Sequence, residues 1–203
     1  MIYNGKQYQK GVAFMASRFA GIVLAGGESR RFGSPKAFAK RDEIPFYQYS
    51  IDVLAPLCQL VIVVTRPELY QMFDEGEKKF KLMIDKEPYK GQGPLSGIYS
   101  AMDEVSAQWY IVLPTDVPFI EQWVCRQLME QIDSEVDAVV PIVLGKEQPL
   151  IAIYHQSVKE TIEKQLSRGR RSLKSLFEQI KVKYVQIDKE QPFRNINRPE
   201  DFL

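Results

Sequence analysis

The sequence predicts an α/β protein built on an open, mostly parallel sheet with helices on both faces and a mixed edge. Three observations carry this expectation. From Ala20 onward, short β-branched runs alternate with longer amphipathic segments, as when parallel strands are covered by helices on both sides. Most segments between the runs are long enough to hold a crossover helix. One connection, 144–149, is too short for that and demands a hairpin or a mixed sheet edge.

The elements follow in chain order. Residues 1–18 read as a polar extension, because Arg18 interrupts the apolar-leaning stretch 11–16 too early for a signal peptide. The first core strand is expected at 21–25. Pro45 then opens a helix toward Ala55, and Pro56 ends it. Further strands are expected at 60–65, 81–84, 110–113, 138–143, 150–154 and 182–186, with helices at 95–105, 121–132 and 157–166. No internal repeat, Pro/Ser-rich linker or charge block marks a second domain, so 19–203 is read as a single domain.

Composition narrows the function classes. The 203 residues are 45% hydrophobic and 26% charged, the balance of a folding globular chain. Lys plus Arg total 27 against 26 Asp plus Glu, a formal charge of +1, so nothing global draws the protein to nucleic acid or to an anionic membrane. No apolar run approaches the roughly 18 residues of a membrane span. Cys58 and Cys125 are the two cysteines, without the spacing of a disulfide scaffold or a structural zinc site, and a reducing cytoplasm is the expected location.

The most informative segment is Leu24-Ala25-Gly26-Gly27-Glu28-Ser29-Arg30-Arg31-Phe32-Gly33-Ser34-Pro35-Lys36, directly after the first strand. In open parallel sheets ligands bind beyond the carboxyl ends of strands, where this loop falls. Gly26 and Gly27 clear space for close backbone approach, and successive free amides can nest phosphate oxygens. Arg31 and Lys36 add positive charge. A lone Gly-Gly is usually only a turn; here glycines, hydroxyl, arginine and lysine crowd one loop. A Walker loop is excluded because Gly33 is followed by Ser34 and Pro35 before Lys36. A dinucleotide fingerprint is excluded because Gly91, Gly93 and Gly97 miss its spacing by one and follow a loop.

The loop resembles the Leu-Ala-Gly-Gly-x-Ser-x-Arg-x-Gly-x-x-Lys signature of the nucleotidyltransferase family that includes the MobA-type molybdenum cofactor guanylyltransferases. The resemblance continues, in family order, through Gly93-Pro94-Leu95-Ser96-Gly97, Leu113-Pro114-Thr115-Asp116-Val117-Pro118, Gln148-Pro149-Leu150 and Asn195-Ile196-Asn197-Arg198-Pro199-Glu200-Asp201. It implies a Rossmann-like fold of the nucleotide-diphospho-sugar transferase type. It also implies transfer of GMP from GTP to the phosphate of molybdopterin, free or molybdenum-loaded, with release of pyrophosphate. Other proteins of molybdenum cofactor biosynthesis become expected partners. Guanylyl members read Ala-Gly-Gly where cytidylyl relatives more often read Ala-Ala-Gly, so Ala25-Gly26-Gly27 implies GTP.

Site residues follow from the same resemblance. Leu24, Ala25, Gly26, Gly27, Lys36, Asp85 and Asp116 are expected to bind nucleotide, Lys36, Arg31 and Asp116 to serve catalysis, and Asn195 and Asn197 to contact the acceptor. Asp116 is also the expected metal ligand. Pro114 and Pro118 stiffen its turn. A carboxylate ~4 Å from a phosphate charge costs about 4 kcal/mol at an effective dielectric near 20, so a cation must stand between them. Mg2+ suits this site because it accepts one or two carboxylates plus phosphates and keeps its waters. Where many MobA-type enzymes carry an asparagine after the second core strand, this chain reads Val64-Thr65-Arg66, which shifts base recognition toward backbone groups of Leu24 to Gly26. His155 reads as a packed or surface histidine, and Arg168, Arg170 and Arg171 as a solvated basic loop. The alternatives are a cytidylyl or sugar-1-phosphate nucleotidyltransferase of the same fold, or a nucleotide-binding protein without turnover.

Overall fold

A computed structural model describes residues 18–27, 32–73, 80–198 and 201. All of the expected 1–18 extension except Arg18, and Arg31 in the glycine loop, lie outside the described residues. The strands are β1 (Phe19–Leu24), β2 (Lys40–Arg41), β3 (Ile44–Pro45), β4 (Leu60–Thr65), β5 (Lys81–Ile84), β6 (Trp109–Pro114), β7 (Ala138–Val143), β8 (Lys146–Glu147), β9 (Ala152–His155) and β10 (Val182–Gln186). The helices are α1 (Phe46–Leu54), α2 (Pro67–Tyr70), α3 (Pro94–Glu104), α4 (Gln122–Met129), α5 (Val158–Ser167) and α6 (Leu173–Phe177).

The main sheet runs β10-β7-β9-β6-β1-β4-β5, with β8 paired to β7. Strand β1 is parallel to both β4 and β6, and β4 is parallel to β5. The chain therefore winds to one side of β1 through β4 and β5, then crosses to β6 on the other side. That reversal opens a crevice at the carboxyl ends of the strands, where open α/β sheets place ligands.

Period-two alternation sorts side chains onto the two faces. Phe19 and Val23 of β1, with Ile111 and Leu113 of β6, pack with Ile51 and Leu54 of α1 and Val124 and Leu128 of α4. Ala20 and Ile22, with Tyr110 and Val112, pack with Leu95, Ile98 and Met102 of α3 and Ile162 and Leu166 of α5. Gly21 fits the close approach of α1: a Cβ there would stand 3.0 Å from Leu54 Cδ1 and 3.1 Å from Leu54 Cβ.

The mixed pairing differs from the expected edge. Strand β9 lies inside the sheet, antiparallel to β6 and to β7. It also starts later than 150, because Gln148 N–H donates to Pro141 O (2.9 Å) and Ile151 N–H to Gln148 O (3.0 Å), which folds Leu150 and Ile151 into a turn. A hairpin does fall within 144–149, but it pairs β7 with the short β8, and a second hairpin, β2–β3, was not foreseen. The β7–β8 turn at Leu144-Gly145 and the β2–β3 turn at Asp42-Glu43 hold positive φ at both central residues, the geometry that matches strand twist, without the usual Asn-Gly signal.

Candidate active site

The carboxyl ends of β1, β4, β5 and β6 open into one cleft of about 630 Å3. Leu24 at the end of β1 and Ala25, Gly26 and Gly27 after it line the cleft, with Thr65 at the end of β4 and Arg66 after it, Asp85 after β5, and Thr115 and Asp116 after β6. The glycine loop is held by the sheet: Ala25 N–H donates to Val64 O (2.8 Å), and Thr65 Oγ1 donates to Ala25 O (3.3 Å).

Lys36 reaches the same cleft from a short 3-10 turn, Lys36–Phe38, that follows Pro35. Its Nζ stands 3.3 Å from Asp116 Oδ2 and donates to Asn197 Oδ1 at 2.8 Å. The lysine side chain is 12% exposed and the aspartate 30%, so the pair is sheltered but open to a ligand. Asn197 is positioned through the backbone. Ile196 N–H donates to Asp116 O (2.9 Å), and the Asp201 carboxylate accepts from the amides of Asn197 (2.6 Å) and Arg198 (2.8 Å). Those amide bonds hold the Asp201 carboxyl below its ordinary pKa.

Asp85 occupies the β5 side. Its Oδ2 accepts from Gly91 N–H and from Ser96 Oγ–H, both at 3.0 Å. Burial nevertheless pushes its pKa above the ordinary aspartate value, opposed by those two hydrogen bonds and by Lys90. Gly97, in the first turn of α3, leaves room here: a Cβ would lie 2.9 Å from Leu24 Cδ2 and 3.5 Å from Asp85 Oδ1.

The cleft thus gathers a glycine-lined strand end, a lysine, two carboxylates and an amide, an arrangement able to hold a polyanion and align it. A family model described as the MobA-like NTP transferase domain matches residues 21–184. The chain belongs to that family. It is 39% identical over 190 residues to a probable molybdenum cofactor guanylyltransferase of Geobacillus sp. (strain WCH70), covering 92% of this chain and 97% of that protein. It is likewise 39% identical over 191 residues to a protein of the same description from Bacillus cereus (strain ATCC 10987 / NRS 248), covering 92% and 95%. Among solved structures, the molybdopterin-guanine dinucleotide biosynthesis protein A of Archaeoglobus fulgidus superposes with a TM-score of 0.76 at 25% identity, covering 90% of this chain and 94% of that one.

Within this MobA-like domain the structure gathers Leu24, Ala25, Gly26, Gly27, Lys36, Asp85 and Asp116 in one cleft, and Asn197 joins them through Lys36. Asn195 is exposed and does not line the cleft; the intervening Ile196 is buried and anchors the segment to Asp116. Arg168, Arg170 and Arg171 are exposed beyond α5, outside the cleft. His155 lies at the end of β9, its ring 4.6 Å from Trp109 and its Nδ1 2.9 Å from Ser157 Oγ. The sequence reading missed Ser96 and the Gly91 amide as the clamp on Asp85, and Asp201 as the staple behind Asn197. A serine three residues after Gly93, at the start of a Pro-led helix, was the available signal for the first; nothing local marked the second.

Proposed function

We propose that this protein is a molybdenum cofactor guanylyltransferase that moves GMP from GTP onto the phosphate of molybdopterin. The single observation that carries this reading is the meeting of Lys36, Asp116 and Asn197 at the mouth of a glycine-lined cleft, in a chain of this family. An acceptor phosphate oxygen attacks the α-phosphorus of GTP. The bond from that phosphorus to the bridging oxygen breaks, and its electron pair leaves with pyrophosphate. The acceptor is already ionised near neutral pH, so no strong base is needed; the barrier is the alignment of mutually repelling anions.

The roles divide along the cleft. Leu24, Ala25, Gly26 and Gly27 present backbone to the nucleotide, and Asp85 holds its sugar side. Lys36 sets a fixed positive charge against the transferring phosphoryl group, with Arg31 as a second. Asn197 holds the Lys36 ammonium in place and faces the acceptor, whereas Asn195, outside the cleft, takes no part. A divalent cation, which we take to be Mg2+, suits the Asp116 carboxylate, because hard oxygen donors are the ligand type available there. When bound, that ion neutralises phosphate charge. We further read residues 19–203 as one nucleotidyltransferase domain working in the cytoplasm, where GTP is supplied. Among the described residues no helix is long and apolar enough to cross a membrane.

The test supplies purified protein with GTP, Mg2+ and isolated molybdopterin, and identifies the nucleotide-linked product by mass. A guanine dinucleotide of the pterin is expected. A cytosine dinucleotide from a CTP competition, or nucleotide binding without any product, overturns the proposal.

A further inference from the structure

Lys36, Asp116 and Asn197 come from three separate segments, and the same three segments meet a second time outside the cleft. The Lys36 segment runs on into the β2–β3 hairpin and supplies Arg41, the Asp116 turn runs on into Phe119, and the Asn197 tail is entered through Arg194. The Arg41 guanidinium carbon lies 4.3 Å from the centre of the Phe119 ring, and that of Arg194 lies 5.7 Å from it. Arg41 Nη1 also donates to Pro118 O at 2.7 Å. A cation over an aromatic face is attracted by the ring quadrupole, and a charged donor makes a stronger hydrogen bond than a neutral one. Arg41, Phe119 and Arg194 do not line the cleft.

The hairpin is itself tied down, so it can act as a brace. Tyr49 Oη, on α1, donates to Arg41 O (2.6 Å), and Phe46 N–H donates to Ala39 O (2.9 Å). Asp42 Oδ2 stands 3.3 Å from Arg41 Nε and balances its charge. The turn that carries Asp116 is held at three points. Ser50 Oγ–H donates to Pro114 O (2.9 Å) before the aspartate, Ile196 N–H to Asp116 O (2.9 Å) at it, and Arg41 to Pro118 O after it. The third bond comes from the stretch of chain that bears Lys36. It therefore fixes the lysine segment against the aspartate turn from the side away from the ligand.

We infer that Arg41 is a positioning residue for the transfer: by holding Pro118 O and stacking on Phe119, it sets how the Lys36 ammonium faces Asp116 and the reacting phosphate. The identity of the substrates in this inference rests on the guanylyl reading above. Misplacing reacting groups by about 1 Å costs on the order of 100-fold in rate, so a brace that touches no substrate still bears on turnover. Lysine is a poor substitute here. Its single ammonium on a flexible stem lacks the planar fork that stacks on the ring while donating to the carbonyl. Geometry rather than charge is the property at stake, which separates this role from attraction of the anionic substrates.

The experiment compares wild type with Arg41→Lys, Arg41→Ala and Phe119→Leu by two readouts. The first needs no substrate: folded, ligand-free protein is treated briefly with acetic anhydride, and the acetylation rate of Lys36 is divided by that of Lys164 in the same sample. Lys36 is 12% exposed and held by Asp116 and Asn197, whereas Lys164 is 71% exposed. That ratio should rise by about threefold or more in each variant, as the Lys36 segment opens locally. The second readout is steady-state transfer from GTP to molybdopterin with Mg2+. In each variant kcat should fall about tenfold while KM for GTP stays within about twofold, and the double variant Arg41→Ala/Phe119→Leu should be no slower than Arg41→Ala alone. Arg41→Lys and Phe119→Leu keep charge and apolar bulk respectively, so the test stands even where Arg41→Ala does not fold. Wild-type labelling ratios in the variants overturn the inference. So does wild-type kcat in Arg41→Lys, which would make charge sufficient, or a rise in KM alone, which would place Arg41 on substrate. A wild type that yields no guanine dinucleotide removes the guanylyl reading instead, and the labelling ratio still decides on the brace.

Discussion

Lys36 and Asp116 are a mutually dependent pair, because each offsets the charge that the other would expose to an incoming triphosphate. Lys36→Ala and Asp116→Ala should each lower kcat by about 100- to 1,000-fold, the usual effect of losing one preorganised group aimed at developing charge. Circular dichroism and thermal unfolding should stay close to wild type, since both side chains sit at the cleft and outside the apolar layers. Near wild-type turnover in either variant contradicts the assignment. Asp85 behaves differently. Its folded pKa is raised by burial, so its favourable contribution to stability is present below the ordinary aspartate value of 3.8 and is lost as pH rises through the raised value. Asp85→Asn keeps an oxygen acceptor for Gly91 and Ser96 while removing the buried charge. The variant should therefore unfold at a higher temperature than wild type above that window, match it below pH 4, and bind nucleotide more weakly. Parallel pH curves for the two melting temperatures would refute this.

The secondary-structure elements show what local sequence can and cannot specify. Strands β4, β5, β7 and β10 carry the expected bounds: β4 and β7 are rich in β-branched residues, β5 is a short apolar run, and β10 sets Val182, Tyr184 and Val185 among polar residues. The hairpin at Asp42-Glu43 escaped, and the one at Leu144-Gly145 was legible only as a connection too short for a helix, because their positive φ values are imposed by strand pairing and no Asn-Gly step announces them. The interior place of β9 escaped for another reason: its partners, β6 and β7, lie far from it in sequence or across a turn, and pairing is decided by packing. The site divides in the same way. Lys36, Asp116 and the Gly26-Gly27 loop were legible because their spacing carries a motif, whereas the Ser96 clamp and the Asp201 staple arise only when helix and tail close. Close packing gives a test at this scale. Gly21→Val forces side-chain atoms into Leu54 of α1 and should cost about 1–3 kcal/mol in chemical denaturation, with the denaturant slope unchanged. An unaltered midpoint would show that α1 can move aside freely.

At the scale of the whole molecule, a formal charge of +1 offers little long-range attraction for a triphosphate, so capture depends on contacts inside the cleft, where Lys36, Arg66 and Lys90 stand among Glu68, Asp85 and Asp116. Binding there should stabilise the entire fold, because the cleft is built from the ends of β1, β4, β5 and β6 together. Mg-GTP at 100 times its Kd should add about 2.7 kcal/mol, a rise of about 5–10 °C in Tm for a chain of this size. A Tm unmoved by Mg-GTP would mean that the cleft is not the nucleotide site. The bond from Lys36 to Asn197 spans 161 positions and joins the first loop to a segment synthesised after every strand of the sheet. While a ribosome still holds that segment, the layers can assemble around a lysine that lacks its amide neighbour. Competence therefore arrives late in translation: a truncated product ending just past β10 lacks the amide beside Lys36 together with the buried Phe193 and Ile196, and should be both less stable and chemically idle.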